Sequence, residues 1–297
     1  MRFAHFTVPA GQQVRLAVVD DEGAVFLDEV LPDAPRDLQQ LLEDGGCGTG
    51  VTADLEQIRS AVAEAVASGL RPRPVSELRH ASAVLRPPQI IAIGANYAAH
   101  SDELKLRVEK AATVFSLWSN SLSGHGGTTT WREDISTQVD YEAELGVIIG
   151  RPARDVSVLD ALDHVFGYTV VNDITARDLQ FSEAQWCRCK SFDGFTPTGP
   201  VVVTADEIPD PQDLWLTTNV DGRILQDAST GDMVRTVAEL ISFLSRSATL
   251  QPGTLISTGS PGGAGYSRKP PVFLGDRSTV TVSIGGIGSL TTHCRIR

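Results

Sequence analysis

Asp140-Tyr141-Glu142-Ala143-Glu144-Leu145-Gly146-Val147-Ile148-Ile149-Gly150 is the stretch on which the reading of this chain turns. Leu145 to Ile149 is apolar and partly β-branched, which predicts a buried strand. Residues two apart on a strand share a face, so Glu142 and Glu144 project side by side at its entrance. Two adjacent carboxylates at the edge of a core repel each other and lose solvation, and they call for a compensating cation. A second apolar strand, Val165 to Val171, ends in Asn172-Asp173 and adds a third carboxylate at a strand end. Three such carboxylates suit a hard divalent ion such as Mg²⁺, Mn²⁺ or Ca²⁺, which takes oxygen ligands. Neither Cys nor His belongs to the trio, which argues against structural zinc. Arg177, Gln180 and Lys190 follow as polar groups in the next segment.

A chain of 297 residues allows one large domain, or one large and one small. Its net charge of −12 disfavours nucleic acid and anionic membrane surfaces as partners. An anionic substrate stays compatible, because a bound metal and local Arg or Lys reverse the field at one site. Cys47, Cys187, Cys189 and Cys294 form no C-x-x-C pair and read as reduced thiols. The N-terminus lacks the apolar core of a signal peptide, and no stretch approaches the roughly 20 apolar residues of a membrane span. The expectation is a cytoplasmic protein.

Residues 1–75 read as a small accessory unit. It has a hairpin (Val14–Val19, Ala24–Leu27), a loop at 43–50 and a helix from Asp54 to Ala67. Leu70-Arg71-Pro72-Arg73-Pro74 is a stiff connector, and the main domain is expected over 84–297. There, Gln89–Gly94 reads as a strand closed by glycine, followed by Asn96, His100 and Glu103. His100 and Glu103 are one helical turn apart, and a carboxylate beside an imidazole makes a general base. The same spacing also occurs on solvated helix faces. Thr113–Trp118 is expected as a strand, Ser157-x-x-Asp160 as the cap of a short helix through Asp163, and Ser191–Pro200 as a Gly/Pro loop before a strand at 201–203. Leu214–Val220 and Arg223–Gln226 form a hairpin, and Thr236-x-x-Glu239 caps a helix from Val237 to Ser245. Leu255–Gly265 is a strand running into a glycine-rich loop. It is neither a Walker loop nor a Rossmann fingerprint. Two alternating strands, Val280–Ile284 and Ser289–His293, close the chain. Many strands with few long helices predict a β-rich α+β domain.

Taken together, the motifs Ile93-Gly94-Ala95-Asn96-Tyr97-x-x-His100-x-x-Glu103, Val139–Leu145, Phe166–Gln180, Lys190–Phe195 and Thr258-Gly259-Ser260-Pro261 resemble those of the fumarylacetoacetate hydrolase family, in family order. The resemblance implies a mixed β-roll, with residues 1–75 similar to the small N-terminal α+β domain of many bacterial members. It also implies a homodimer, a Mg²⁺ or similar ion, and a small-molecule 2-oxo acid substrate. On the matching positions, Glu142, Glu144 and Asp173 would bind the metal, and His100 with Glu103 would activate water. Lys190 would contact the substrate and neutralise charge, Arg177 and Gln180 would lie near it, and Ser260 would hold its carboxylate. The implied reaction is hydrolysis of a C–C bond in an acylpyruvate-type acid. Decarboxylation or keto–enol tautomerisation on the same scaffold is the nearest alternative, and a non-catalytic metal-dependent 2-oxo acid binder is a third.

The sequence departs from the family pattern at three places. Leu117-Trp118 stands where many members have Lys-Pro, Ser260-Pro261-Gly262-Gly263 replaces Thr-Pro-Ala-Gly, and Asn120 replaces a small residue. Trp118 is therefore expected to touch the substrate and to widen tolerance for an apolar or cyclic substituent.

Overall fold

The computed structural model describes residues 1–8, 13–45, 50–103 and 111–297. Among these, two sheets dominate. The larger one runs, in spatial order, Gly23–Phe26, Val14–Asp20, Arg2–Thr7, Thr196–Thr204, Val165–Asn172, Ala143–Ile149, Leu255–Ser257, Ile90–Gly94 and Thr113–Ser116. All these neighbours are antiparallel except Leu255–Ser257 and Ile90–Gly94, which run parallel. The smaller sheet joins Arg223–Ser229, Trp215–Val220, Thr279–Ile284, Gly288–Ile296 and Gly127–Trp131. The architecture is the expected β-rich α+β fold.

Two-sided burial explains why the central strands are apolar without alternation. Every residue of Ala143–Ile149 and Val165–Asn172 is buried. By contrast Thr279–Ile284 alternates, with Val280, Val282 and Ile284 inward. These three join Leu216 and Leu290 of the small sheet and Leu145, Val147 and Val170 of the large one in a single core. The first strand, Arg2–Thr7, pairs with Thr196–Thr204, so the N-terminal hairpin extends the edge of the large sheet.

Several elements differ from expectation. Thr196–Pro200 belongs to a strand, not a loop: Val170 and Val171 pair with Gly199 and Thr198 after a register shift that accommodates the Gly-Pro step. Ser157 and Asp160 do bond (Oγ to Oδ2, 2.6 Å), but only a 3₁₀ turn, Ala161–His164, follows. The helix expected from Asp54 begins at Gly50, and a helix at Leu38–Gly45 takes part of the expected 43–50 loop. The rest of that loop, with Cys47, lies outside the described residues. The capping box of Thr236 and Glu239 opens Val237–Ser245 as expected. Among the described residues no helix is long and apolar enough to cross a membrane.

Candidate active site

Four neighbouring strands bring their ends to one side of the large sheet. Glu144 lies on Ala143–Ile149 and Glu142 just precedes it. Ala143 pairs with Asn172, so Asp173 emerges at the same edge, and its N–H donates to Glu142 O (2.9 Å). Ser257 pairs with Gly146 on one side and Ala92 on the other, which carries residues 258–260 and 93–100 to that edge as well. Asn96 ties those two segments together. Its Nδ2 donates to Thr258 O (2.8 Å) and Arg235 O (3.1 Å), and its Oδ1 accepts from Arg235 N (3.0 Å). Gly259 has φ +98°, and a Cβ there would stand 2.8 Å from Asn96 Cβ, so only glycine fits this close approach.

Glu142, Glu144 and Asp173 are buried, and each offers one oxygen within 4.8 Å of the others. Their partners differ. Glu142 accepts from Arg177 Nη2 (2.6 Å) and Lys190 Nζ (2.6 Å). Glu144 accepts from the Ser257 hydroxyl (2.5 Å) and Gly259 N–H (2.9 Å), with no cation in contact among the described residues. Asp173 Oδ2 accepts from Lys190 Nζ (2.6 Å), while its Oδ1 is buried without a partner among the described residues.

These surroundings split the protonation behaviour of the trio. Burial opposes charge on Glu142, but Arg177 and Lys190 outweigh it and hold the carboxyl well below its usual range. Burial, together with the Asp173 and Glu142 charges, pushes Glu144 well above that range. Burial, only partly offset by Lys190, pushes Asp173 up to about 6. Lys190 is raised above its ordinary value: burial works against the ammonium, and Asp173 and Glu142 more than restore it.

The charge balance supports a divalent cation. Among the described residues, four buried carboxylates (Asp140, Glu142, Glu144 and Asp173) share two buried permanent cations, Arg177 and Lys190. The formal deficit is two positive charges. An all-oxygen donor set with one unpartnered carboxylate oxygen fits a hard divalent ion. The residues present therefore fit such a group.

The site residues expected from sequence fall into distinct places. Lys190 has all three of its donors engaged, by Glu142, Asp173 and Thr175 Oγ1 (2.8 Å). Arg177 is fully buried and holds the framework, donating to Asp140 Oδ1 (2.8 Å), Gln180 Oε1 (2.9 Å) and Glu142. Gln180 and Ser260 line the cleft over the trio. His100 lines it too, with Nε2 3.2 Å from Glu142 Oε1 and Nδ1 buried and unpartnered among the described residues. Glu103 does not meet His100. Its carboxylate accepts from Gly263 N–H (2.8 Å) and Ser267 Oγ (3.0 Å). Trp118 is 48% exposed and lies outside the cleft lining. Its N–H donates to Ser191 Oγ (3.1 Å).

Three further residues shape the site without having been singled out from sequence. Gln226 donates from Nε2 to Ser260 Oγ (2.8 Å) and Pro261 O (2.9 Å), and accepts from Ala143 N–H (2.9 Å) and the Thr218 hydroxyl (2.8 Å). Phe115 and Trp186 supply apolar lining. Nothing local marks Gln226, which sits in an ordinary hairpin strand. Trp186 stands four residues before Lys190, and that proximity was the available signal.

Comparison with known proteins converges on this geometry. Residues 89–295 match the model of the fumarylacetoacetate (FAA) hydrolase C-terminal domain. The chain is similar to a fumarylacetoacetate hydrolase from psychrophilic Exiguobacterium antarcticum, at 34% identity over 100% of both chains with TM-score 0.84. It is similar to maleylpyruvate hydrolase from Sphingobium sp. SYK-6, solved with manganese(II) and pyruvate, at 28% identity over 100% of this chain and 99% of that one, TM-score 0.80. It is also similar to 2-hydroxyhepta-2,4-diene-1,7-dioate isomerase from Mycobacterium marinum, at 30% identity over 100% and 99%, TM-score 0.73. With hydrolases and an isomerase among these neighbours, and the buried acidic trio at the strand ends inside the matched region, the chain belongs to the fumarylacetoacetate hydrolase family.

Proposed function

We propose that this protein is a divalent-metal-dependent hydrolase that cleaves a C–C bond in an acylpyruvate or related 2,4-dioxo acid. The observation that carries this reading is the buried Glu142–Glu144–Asp173 trio beside His100 in one cleft. Those three residues hold Mg²⁺, Mn²⁺ or Ca²⁺. When bound, the ion supplies a Lewis acid for the 2-oxo acid end of the substrate.

The chain's own residues do the rest. With Nε2 turned to the Glu142 carboxylate, His100 carries its proton there and keeps a lone pair on Nδ1. Nδ1 takes a proton from water, and the hydroxide adds to the distal carbonyl. The C–C bond then breaks and its electron pair leaves as the enolate of pyruvate, which is protonated to pyruvate. Lys190 offsets the negative charge. Gln180 and Ser260 orient the substrate carboxylate, Arg177 keeps Glu142 in place, and Glu103 closes the loop over the cleft. A homodimer belongs to the same reading, and light scattering on the purified protein tests it.

The acidic trio with Lys190 equally supports a second reading, decarboxylation or tautomerisation of an oxaloacetate-like acid. Either needs the trio but no activated water. Incubation with acetylpyruvate, oxaloacetate and its enol, in Mg²⁺ or in EDTA, separates them by product. Pyruvate and acetate formed only with metal support the hydrolase. Carbon dioxide or keto–enol interconversion alone supports the second reading, and binding without turnover leaves a non-catalytic binder.

A further inference from the structure

The cleft has an apolar side that the proposed chemistry does not use. Ile93, Gly94, Phe115 and Trp186 line it together with the carboxylates and Lys190. Trp186 rests directly on the bare Cα of Gly94: a Cβ at that position would stand 2.4 Å from Trp186 Cζ3 and 3.3 Å from Cη2. Its indole meets Phe115 edge-on, with ring centroids 5.4 Å apart at 72°. Lys190 Nζ is 5.5 Å from the Phe115 ring, so this apolar wall begins right beside the charged half of the site. The space left free in the cleft is about 10 Å³, room for about one water, so a larger group entering it meets this apolar wall.

We propose that Trp186, seated on Gly94 and against Phe115, sets the size of the acyl group that the cleft accepts, admitting short acyl groups and excluding bulky ones. This rests on the hydrolase reading above and assigns the specificity role to Trp186 in place of Trp118. The indole occupies the apolar side of the cleft, where this assignment places a substituent on the distal carbonyl. Gly94 is the counterpart that lets it sit there. Adding a methyl group at Gly94 forces the indole to shift, because the far edge of that ring is what the new Cβ meets first.

The test compares wild type, Trp186→Leu and Trp186→Ala on acetylpyruvate and benzoylpyruvate with Mn²⁺. The ratio of kcat/KM values shifts toward benzoylpyruvate by about tenfold or more in both variants. Gly94→Ala loses activity on both substrates, and adding Trp186→Ala restores part of it, a coupling expected only if the two side chains contend for one space. Trp186→Phe, which keeps a smaller ring, gives an intermediate ratio and stands in should Trp186→Ala fold poorly by circular dichroism. A ratio unchanged within about twofold in the Trp186 variants, or independent Gly94 and Trp186 effects, overturns the assignment. Calorimetry of pyruvate and phenylpyruvate binding to the Mn²⁺-loaded protein separates this from the reaction itself. If wild type cleaves neither acylpyruvate, the hydrolase reading fails. A preference for pyruvate that disappears in Trp186→Ala still upholds the size role, and an unaltered preference removes it.

Discussion

His100 turns its Nε2 to Glu142 Oε1 at 3.2 Å, so the same carboxylate that contributes to the acidic trio also orients the imidazole. A hydrogen-bonded carboxylate fixes the tautomer and leaves the opposite nitrogen as the acceptor. His100→Asn is therefore expected to lower hydrolysis of acetylpyruvate by roughly a hundredfold or more. Oxaloacetate decarboxylation, which needs no activated water, should change far less. Steady-state assays of both reactions on the one variant check this. Equal losses would mean that His100 serves binding, not water activation.

Glu144 is the member of the trio with no cation in contact among the described residues, and burial with its acidic neighbours pushes its pKa well up. Glu144→Gln removes that repulsion and keeps an acceptor for the Ser257 hydroxyl and Gly259 N–H. The metal-free variant should melt at a higher temperature than wild type while binding Mn²⁺ at least about tenfold more weakly. Differential scanning calorimetry and titration calorimetry read the two effects. A variant that melts lower without metal contradicts the charge account.

Metal uptake should also release protons. Asp173, pushed up to about 6, and Glu144, pushed higher than usual, must be ionised to act as ligands. Mn²⁺ affinity is expected to fall as pH drops through about 6. Titrations at pH 6 in buffers of different ionisation enthalpy should show net proton release. Heat independent of the buffer would rule out the coupling.

A different group governs acid stability in the N-terminal unit. His5 accepts the Leu38 N–H at Nε2 (3.1 Å) and contacts Ser82 O through Nδ1 (3.2 Å), so it links the first strand, the Leu38–Gly45 helix and the segment leading into the main sheet as a neutral ring. Burial lowers its pKa to about 4, from 6.5 when unfolded. Below pH 6.5 the unfolded chain binds a proton that the folded one refuses, so stability is lost as pH falls toward 4. Glu144 and Asp173, with raised values, change stability in the opposite direction, so the comparison must be with His5→Gln. Wild type should lose about 2 kcal/mol more than His5→Gln between pH 7 and pH 5 in urea unfolding. Parallel pH curves for the two proteins would discharge His5 from this role.

The grouping of Glu142, Glu144 and Asp173 was legible because it is built from short-range rules. Glu142 and Glu144 share a strand face by the two-residue period, and Asp173 ends the strand that pairs with theirs. The spacing of His100 and Glu103 is local and says nothing of the bond that Glu103 makes to Gly263, 160 residues away. The same limit hides Gln226, whose bonds to Ala143, Ser260 and Pro261 reach other segments. Thr196–Pro200 reads as a loop from its Gly and Pro content, and only pairing with Val170 and Val171 makes it a strand. Trp118 drew attention as a departure from the family pattern, yet the indole in the cleft is that of Trp186, seated on Gly94, which the sequence marks as a strand end and not as a seat for a ring.

In the proposed reaction water, activated beside the acidic trio, is added across a C–C bond. Turnover of acetylpyruvate by the Mn²⁺-loaded protein in water enriched in heavy oxygen is the decisive measurement. Acetate should carry one oxygen from the solvent, and no product should form in EDTA. Metal-dependent loss of the substrate's keto–enol balance with no labelled acetate would contradict it.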